Sequence, residues 1–112
     1  MATEAPIYTI TLSATGTVTK QRLVEVTGVH ASAAGKAIGV SRVDAVAGDN
    51  FGAHTLGTSL VEAGGAIAVG ATVEVGTNGK AVTLAAGVKV GRALTAASAD
   101  GDIIEIYLIP NA

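Results

Sequence analysis

The Gly79-Lys80 pair is the part of the chain that most resembles a phosphate-binding motif. Such a loop needs a glycine five residues before its second glycine, and a Ser or Thr after the lysine to hold magnesium. Glu74 and Ala81 stand at those two positions, so the motif fails. Asn78 precedes Gly79, and this dipeptide favours a tight hairpin because both residue types tolerate positive φ. The spacing therefore predicts a turn between two strands and no nucleotide site.

A nucleophilic site would need a serine, a histidine and a carboxylate that converge. Ser41, Asp49 and His54 are the trio that lies closest together in sequence, but proximity along a chain does not give triad geometry. The chain has no cysteine, and neither His30 nor His54 has another histidine or carboxylate at a metal-ligand spacing. The sequence predicts no catalytic residue, no metal site and no cofactor.

The remaining acidic candidates also have simpler interpretations. Glu25 and Glu74 each stand in a Val-Glu-Val segment, and paired carboxylates could cleave glycosides only if both faced one cleft. Their alternation with valines predicts that both lie on the wet faces of strands. Asp100 and Asp102 flank Gly101 but lack the other ligands of a calcium loop, so they predict a turn leading into a strand.

Composition limits the possible partners. The 112 residues fit one domain, and seven scattered basic residues against nine acidic ones give a net charge of −2, which argues against a nucleic-acid partner. No apolar run is long enough to span a membrane, and the N-terminus lacks the pattern of a signal peptide, so no membrane partner is expected. Ala, Val, Gly and Thr supply more than half of the chain, whereas aromatic residues make up only 3%. The core must therefore be built from small side chains.

Short segments with period-two alternation recur along the chain with turn residues between them. They predict an all-β fold, a small compact β-barrel or sandwich of about eight short strands with at most one short helix. The predicted strands cover residues 7–12, 17–26, 36–40, 51–60, 72–75, 81–84, 89–94 and 103–109. A turn or two of helix is compatible with residues 32–36 or 63–68, although glycines there oppose more.

Two halves of the chain show a weak internal similarity. The segment LVEVTG, which begins at Leu23, matches TVEVGT, which begins at Thr72. In both halves a Gly-Lys-Ala segment follows, and then an apolar residue with Gly39 or Gly91 behind it. The offset grows slightly along the chain, so an internal duplication is a hypothesis that requires similar strand-turn-strand units in the structure.

The last predicted strand is apolar on both faces. Ile104 and Ile106 lie on one face, and Ile103, Tyr107 and Ile109 lie on the other. A strand that is buried on both sides is either central in its sheet or covered by a partner. Both interpretations, a central strand of a closed barrel and a subunit interface, remain open from the residue pattern.

The segments AIAVGATVEVGTNGKAV and VGRALTAASADGDIIEIYLI resemble the small capsid decoration proteins, or cement proteins, of tailed bacteriophages. The positions that carry the resemblance are Ala66, Ile67, Gly70, Val73, Gly79, Lys80, Val90, Gly91, Ala93, Leu94, Ala96, Ala97, Gly101 and Asp102. The similarity extends over residues 63–109, and residues 35–49 suit an earlier segment of the family.

The resemblance implies a structural protein without enzymatic activity. Members of that family, often as homotrimers, sit on the outer surface of the virion capsid and bridge neighbouring major capsid protein subunits, which stabilises the expanded shell. The alternative is a surface-displayed β-domain that binds carbohydrate or a host cell, although few aromatic residues are available to stack on sugars.

The N-terminal residues have no clear family motif. We divide the chain into an arm at residues 1–14, flexible or in contact with the capsid, and a single β-domain at residues 15–112. An ordinary first strand at residues 7–12 is an equally good interpretation. The candidate residues for the capsid or subunit interface are Thr3, Glu4, Pro6, Ile7, Tyr8, Ile10, Ile103, Tyr107 and Ile109.

Overall fold

The computed structural model describes residues 4–109, and these residues fold almost entirely into β-structure. Nine strands follow one another along the chain: β1 (Pro6–Ser13), β2 (Leu23–Glu25), β3 (Val29–His30), β4 (Gly39–Ser41), β5 (Asn50–Glu62), β6 (Thr72–Val75), β7 (Ala81–Thr83), β8 (Gly91–Ala93) and β9 (Ile103–Leu108). Within the described part, helix is limited to a 3₁₀ turn at Thr77–Gly79. The all-β prediction is confirmed.

All the strand pairs are antiparallel and belong to one curled sheet, which forms a half-barrel. The order across the sheet is β3-β2-β4-β5-β9-β8-β6-β7, and β1 pairs with β5 beside this path. Strand β5 is the longest, with 13 residues, and joins the two halves of the sheet. Strand β9 lies between β5 and β8, so it is a central strand.

The two halves of the chain have the same strand pairing. We call β1 to β4 with the first half of β5 the first repeat, and the second half of β5 with β6 to β9 the second repeat. Strands β2, β3 and β4 of the first repeat correspond to β6, β7 and β8 of the second. The register agrees at each step: Leu23↔Val40 and Val24↔Gly39 in the first repeat, Thr72↔Arg92 and Val73↔Gly91 in the second.

The corresponding outer strands extend this agreement. Strand β1 pairs with the first half of β5 as the second half of β5 pairs with β9, with Leu12↔Phe51 matched by Val61↔Ile104. Each repeat also has one isolated bridge between its turns, Val18↔Ala45 and Ile67↔Ala97. The structure therefore contains the similar units that the duplication hypothesis requires.

The core forms two clusters of mostly small side chains. The first cluster belongs to the first repeat alone and consists of Leu12, Ala14, Val18, Val24, Ala45, Phe51 and Ala53. The second cluster is larger, because it contains the core of the second repeat together with four residues of the first: Leu23, Ala31, Ala37 and Val40. The first repeat therefore covers the core of the second.

Several predicted strand limits were wrong for a local reason. Residues 17–26 were expected to form one strand, but only Leu23–Glu25 do so. Gln21 has a φ of 61°, and a left-handed residue cannot continue a strand. Its counterpart in the second repeat, Gly70, also has positive φ. The short β3 was missed, and residues 32–36 and 63–68 form turns and isolated bridges where a helical turn had been allowed.

Candidate functional site

The trio Ser41, Asp49 and His54 does not assemble into a catalytic site. The Ser41 hydroxyl donates a hydrogen bond to the Val43 carbonyl at 2.6 Å. The Asp49 carboxylate accepts one from the Val46 amide at 3.1 Å. Both groups are thus held by local hydrogen bonds, and Ser41 is fully buried in β4.

His54 instead lies between Ser59 and Glu4, a grouping that the sequence analysis missed. Its Nδ1 is 2.9 Å from the Ser59 hydroxyl and 3.6 Å from a Glu4 carboxylate oxygen. A hydrolytic triad needs the serine and the acid on different ring nitrogens, but here both are near the same one. His54 and Ser59 are also buried, so a substrate could not reach them.

The role of this grouping is to hold the N-terminal segment against the sheet. The same Glu4 oxygen accepts a hydrogen bond from the Leu60 amide at 3.2 Å. His54 and Ser59 share one face of β5 because the register shifts near Gly57, whose φ is 91°. A regular strand would place two residues at an odd spacing, such as His54 and Ser59, on opposite faces. The pair could therefore have been predicted from the sequence only if the irregularity of the strand had been foreseen.

Glu25 and Glu74 do hold equivalent places in the two repeats, but the prediction that both are on wet faces was wrong for Glu74. Its side chain is buried and accepts hydrogen bonds from the amides of Ala85 and Gly87. Glu25 is half-buried and accepts a bond from the Thr27 hydroxyl at 2.8 Å. Each carboxylate orders a turn of its own repeat, which is not the arrangement of a glycosidase pair.

The predicted interface residues at the N-terminus lie on an exposed strand. Ile7 is 79% exposed and Tyr8 is 58% exposed, where the register of β1 against β5 shifts. Pro6 begins the strand, and Ile10 is half-buried against the first core cluster. Thr3 lies outside the described residues. This end of β1 thus presents two exposed apolar side chains.

The outer edge of β1 is also open. Among the strands of residues 4–109, β1 pairs with β5 alone. The corresponding edge in the second half of β5 is covered, because the amides of Thr58, Leu60 and Glu62 donate to Ala5, Glu4 and Gln21. An uncovered edge of this length is a ready template for another extended chain.

The sequence left two interpretations of the last strand open, a central strand and a subunit interface, and the two faces of the strand differ in this respect. β9 is central, and Ile104, Ile106 and Leu108 are buried. Ile103 and Tyr107 nevertheless remain exposed on the other face, and Ile109, just after the strand, is half-buried. Central position therefore explains one apolar face only.

Tyr107 lies close to the start of β1. It pairs with Thr58 across β5 and β9, and the Thr58 amide donates to the Ala5 carbonyl at 3.2 Å. The two groups of predicted interface residues are thus on neighbouring stretches of the sheet. Together they form the candidate interaction surface, which we define as Ile7, Tyr8, Ile103 and Tyr107.

Charged residues mostly act within the fold. Hydrogen bonds from the Ser98 amide and hydroxyl and from the Ala99 amide lower the pKa of Asp102, which closes the turn before β9. Hydrogen bonds to Asp100 and Glu62 raise the pKa of Lys80. In residues 4–109, no three His, Cys, Asp or Glu side chains are grouped as metal ligands would be. Nor is any helix in that range long and apolar enough to cross a bilayer.

Comparison with known proteins agrees with this structural character. The family model described as "Phage cement protein" matches residues 2–108. The chain belongs to the phage cement protein family. Family membership assigns it a structural decoration role in association with the phage capsid.

A solved structure shows that the fold of this cement protein has been seen before. The head fiber gp8.5 N base of bacteriophage phi29 superposes with a TM-score of 0.77 at 24% sequence identity. The alignment covers 91% of this chain and 93% of the phi29 chain. No curated protein matches the sequence.

Proposed function

We propose that this cement protein is a non-enzymatic clamp on the outer surface of a phage head. It acts as a homotrimer, bridges neighbouring major capsid protein subunits and stabilises the expanded shell. Residues 1–14 serve as the arm that contacts the shell; β1, the later part of this arm, pairs with β5 and places Leu12 in the core, so the rest of the β-domain positions the arm. No cofactor, nucleic acid or membrane takes part.

The exposed end of β1 is the observation that carries this proposal. Ile7 and Tyr8 leave apolar surface in water on a strand whose outer edge is unpaired within the described sheet. Such a strand can add to the sheet of a partner, with main-chain hydrogen bonds for affinity and side-chain pockets for specificity. Glu4 and His54 fix the direction in which it leaves the domain.

The stabilising effect follows from binding linkage. A protein that binds only the expanded lattice stabilises that lattice by its binding free energy. Bridging two capsid subunits makes the second contact intramolecular, so modest contacts at many sites give a strong total effect. An all-β domain with a buried, fully hydrogen-bonded set of polar side chains suits this mechanical role.

Deletion of residues 2–8 tests the arm. We expect saturable co-sedimentation with shells that lack the protein to weaken at least tenfold, whereas the circular dichroism spectrum stays that of a folded β-protein. Leu12 and Phe51 keep the rest of β1 in the core. Undiminished binding by the folded deletion variant would contradict the proposal.

A point variant covers the case in which the deletion variant does not fold. Ile7→Asp places a charge in the proposed contact, and Val69→Asp places the same charge at a comparably exposed site in the second repeat. We expect only Ile7→Asp to weaken shell binding. Equal effects of the two variants would show that β1 is not the contact.

A further inference from the structure

Val26 and Ile38 of the first repeat are exposed, although their counterparts in the second repeat are buried. Val26, just after β2, is 67% exposed, whereas Val75, its counterpart in the Val-Glu-Val segments, is the last residue of β6 and is 1% exposed. Ile38 is 39% exposed, whereas Val90, which precedes β8 as Ile38 precedes β4, is 2% exposed. Ile38 and Val90 hold the same place before their strands, so the difference between these two arises from what covers them.

The first repeat covers the second repeat with a defined surface. Leu23 and Val40, on the outer face of β2 and β4, are fully buried in the core cluster of the second repeat. The loop between β3 and β4 extends this contact, because the Ala34 amide donates to the Val75 carbonyl at 2.8 Å. The first repeat thus reaches the end of β6, where Val75 is buried in the core cluster that residues of both repeats form.

The second repeat carries the counterpart of this covering surface, and it is unoccupied within residues 4–109. Thr72, Arg92 and Tyr107 form a row across β6, β8 and β9, at the positions that Leu23, Val40 and His54 hold in the first repeat. Arg92 and Tyr107 are exposed, whereas their counterparts Val40 and His54 are buried, and Ala86 is the counterpart of Ala34 in a shared Ala-Ala-Gly loop. Arg and Tyr are the residue types enriched where separate chains meet, whereas Leu and Val suit a permanent interior.

On the receiving side, Val26 and Ile38 line an open groove of about 540 Å³. Glu25 and Lys36 also line it, so charged and apolar side chains share its lining. Exposed apolar side chains beside charged ones are typical of a reversible protein interface. A second copy of the chain has a surface whose position in the fold matches it.

We propose that the second repeat of one copy docks on the Val26–Ile38 groove of the next copy, as the first repeat docks on the second within a chain. The inference rests on the self-association part of the proposed function and names its surfaces. Such a contact is heterologous, because different patches meet, and it closes into a ring when the rotation between copies permits. Three copies would then present six similar repeats in order.

Cysteine trapping tests the pairing directly, since the chain has no cysteine of its own. In the internal contact Ala34 bonds to Val75, so Ala86 of one copy should lie within disulfide reach of Val26 in the next. We expect a mixture of Val26→Cys and Ala86→Cys proteins to form a covalent heterodimer under mild oxidation. A mixture of Val69→Cys and Ala86→Cys is the matched control, because Val69 is 66% exposed. Absence of the heterodimer, or equal yield in the control, would overturn the proposal.

Charge substitution separates this contact from shell binding. We expect Val26→Asp to weaken self-association at least tenfold by light scattering, and Val69→Asp to leave it unchanged. If Val26→Asp keeps the wild-type mass but loses binding to shells, the groove contacts the shell and the proposal is wrong. If wild-type protein ignores shells but still forms the specific heterodimer, the shell function fails and the inference stands.

Discussion

At the scale of a single residue, the half-buried His30 couples the stability of the fold to pH. Its Nε2 accepts a hydrogen bond from the Thr19 amide at 2.9 Å, and only an unprotonated ring nitrogen can accept. Burial, and secondarily the nearby Arg22 guanidinium, lower the pKa of His30 below 6.5. The folded protein therefore binds this proton less readily than the unfolded chain does.

The pH dependence of stability follows from that lowered pKa. The contribution of His30 is fully present above its unfolded pKa, near 6.5, and is lost as the pH falls through the folded value. We expect the Tm to fall between pH 7 and pH 5 more steeply for the wild type than for His30→Gln, which keeps a side-chain acceptor but does not titrate. Identical slopes in thermal unfolding at a series of pH values would refute this role.

At the scale of strands, two glycines at equivalent places in the two repeats control how closely neighbouring strands approach. Gly39 in β4 and Gly91 in β8 face the backbone carbonyls of His54 and Tyr107. A Cβ at Gly91 would lie 2.8 Å from the Tyr107 oxygen, and a Cβ at Gly39 would lie closer still to the oxygen of His54. Neither carbonyl can move without breaking the hydrogen bonds between its strands. Packing therefore requires glycine at these two positions, each of which follows an apolar residue in the sequence.

An alanine at Gly91 should therefore strain the sheet. We expect Gly91→Ala to lower the free energy of unfolding by about 1–3 kcal/mol, as other overpacking substitutions do. Gly65→Ala is the control, because a Cβ there meets none of the described atoms within 4 Å and Gly65 is not a positive-φ position. Urea unfolding of both variants measures the difference, and equal midpoints would contradict the packing argument.

The two repeats share one core cluster, and this shared core holds the whole molecule together. Leu23 and Val40 belong to the first repeat but complete the core cluster of the second. Arg22 adds an ionic link at 3.0 Å to Glu62 and donates to the Asn78 carbonyl at 3.1 Å. Because one core contains residues of both repeats, we expect them to unfold together.

Cooperative unfolding can be followed with the two tyrosines, one in each repeat, since the chain has no tryptophan. Tyr8→Phe and Tyr107→Phe variants each retain one fluorescent reporter, and their transitions in urea should coincide. Leu23→Ala should shift both reporters together by about 2–5 kcal/mol, because it opens a cavity in the shared core. Separate transitions would show that the repeats are independent units.

The sequence alone determined the features that depend on neighbouring residues. Alternation of small apolar residues specified strands, and Asn78-Gly79 specified the turn between β6 and β7, where both residues have positive φ. The matched Val-Glu-Val segments revealed the repeat, and ordered Gly, Ala and Val positions revealed the family. Each of these signals lies within a short window, where backbone preference and side-chain periodicity act.

Only the tertiary structure decided which surfaces are buried. Glu25 and Glu74 have the same local sequence, and so do Val26 and Val75, yet in each pair one member is buried and the other is not. Burial depends on the neighbour that packs against a residue, and that neighbour comes from a distant part of the chain. The same reason hid the Glu4–His54 contact, which requires a shift of register in β5. Local pattern therefore specified the strands, and long-range packing specified which of their faces remain available for partners.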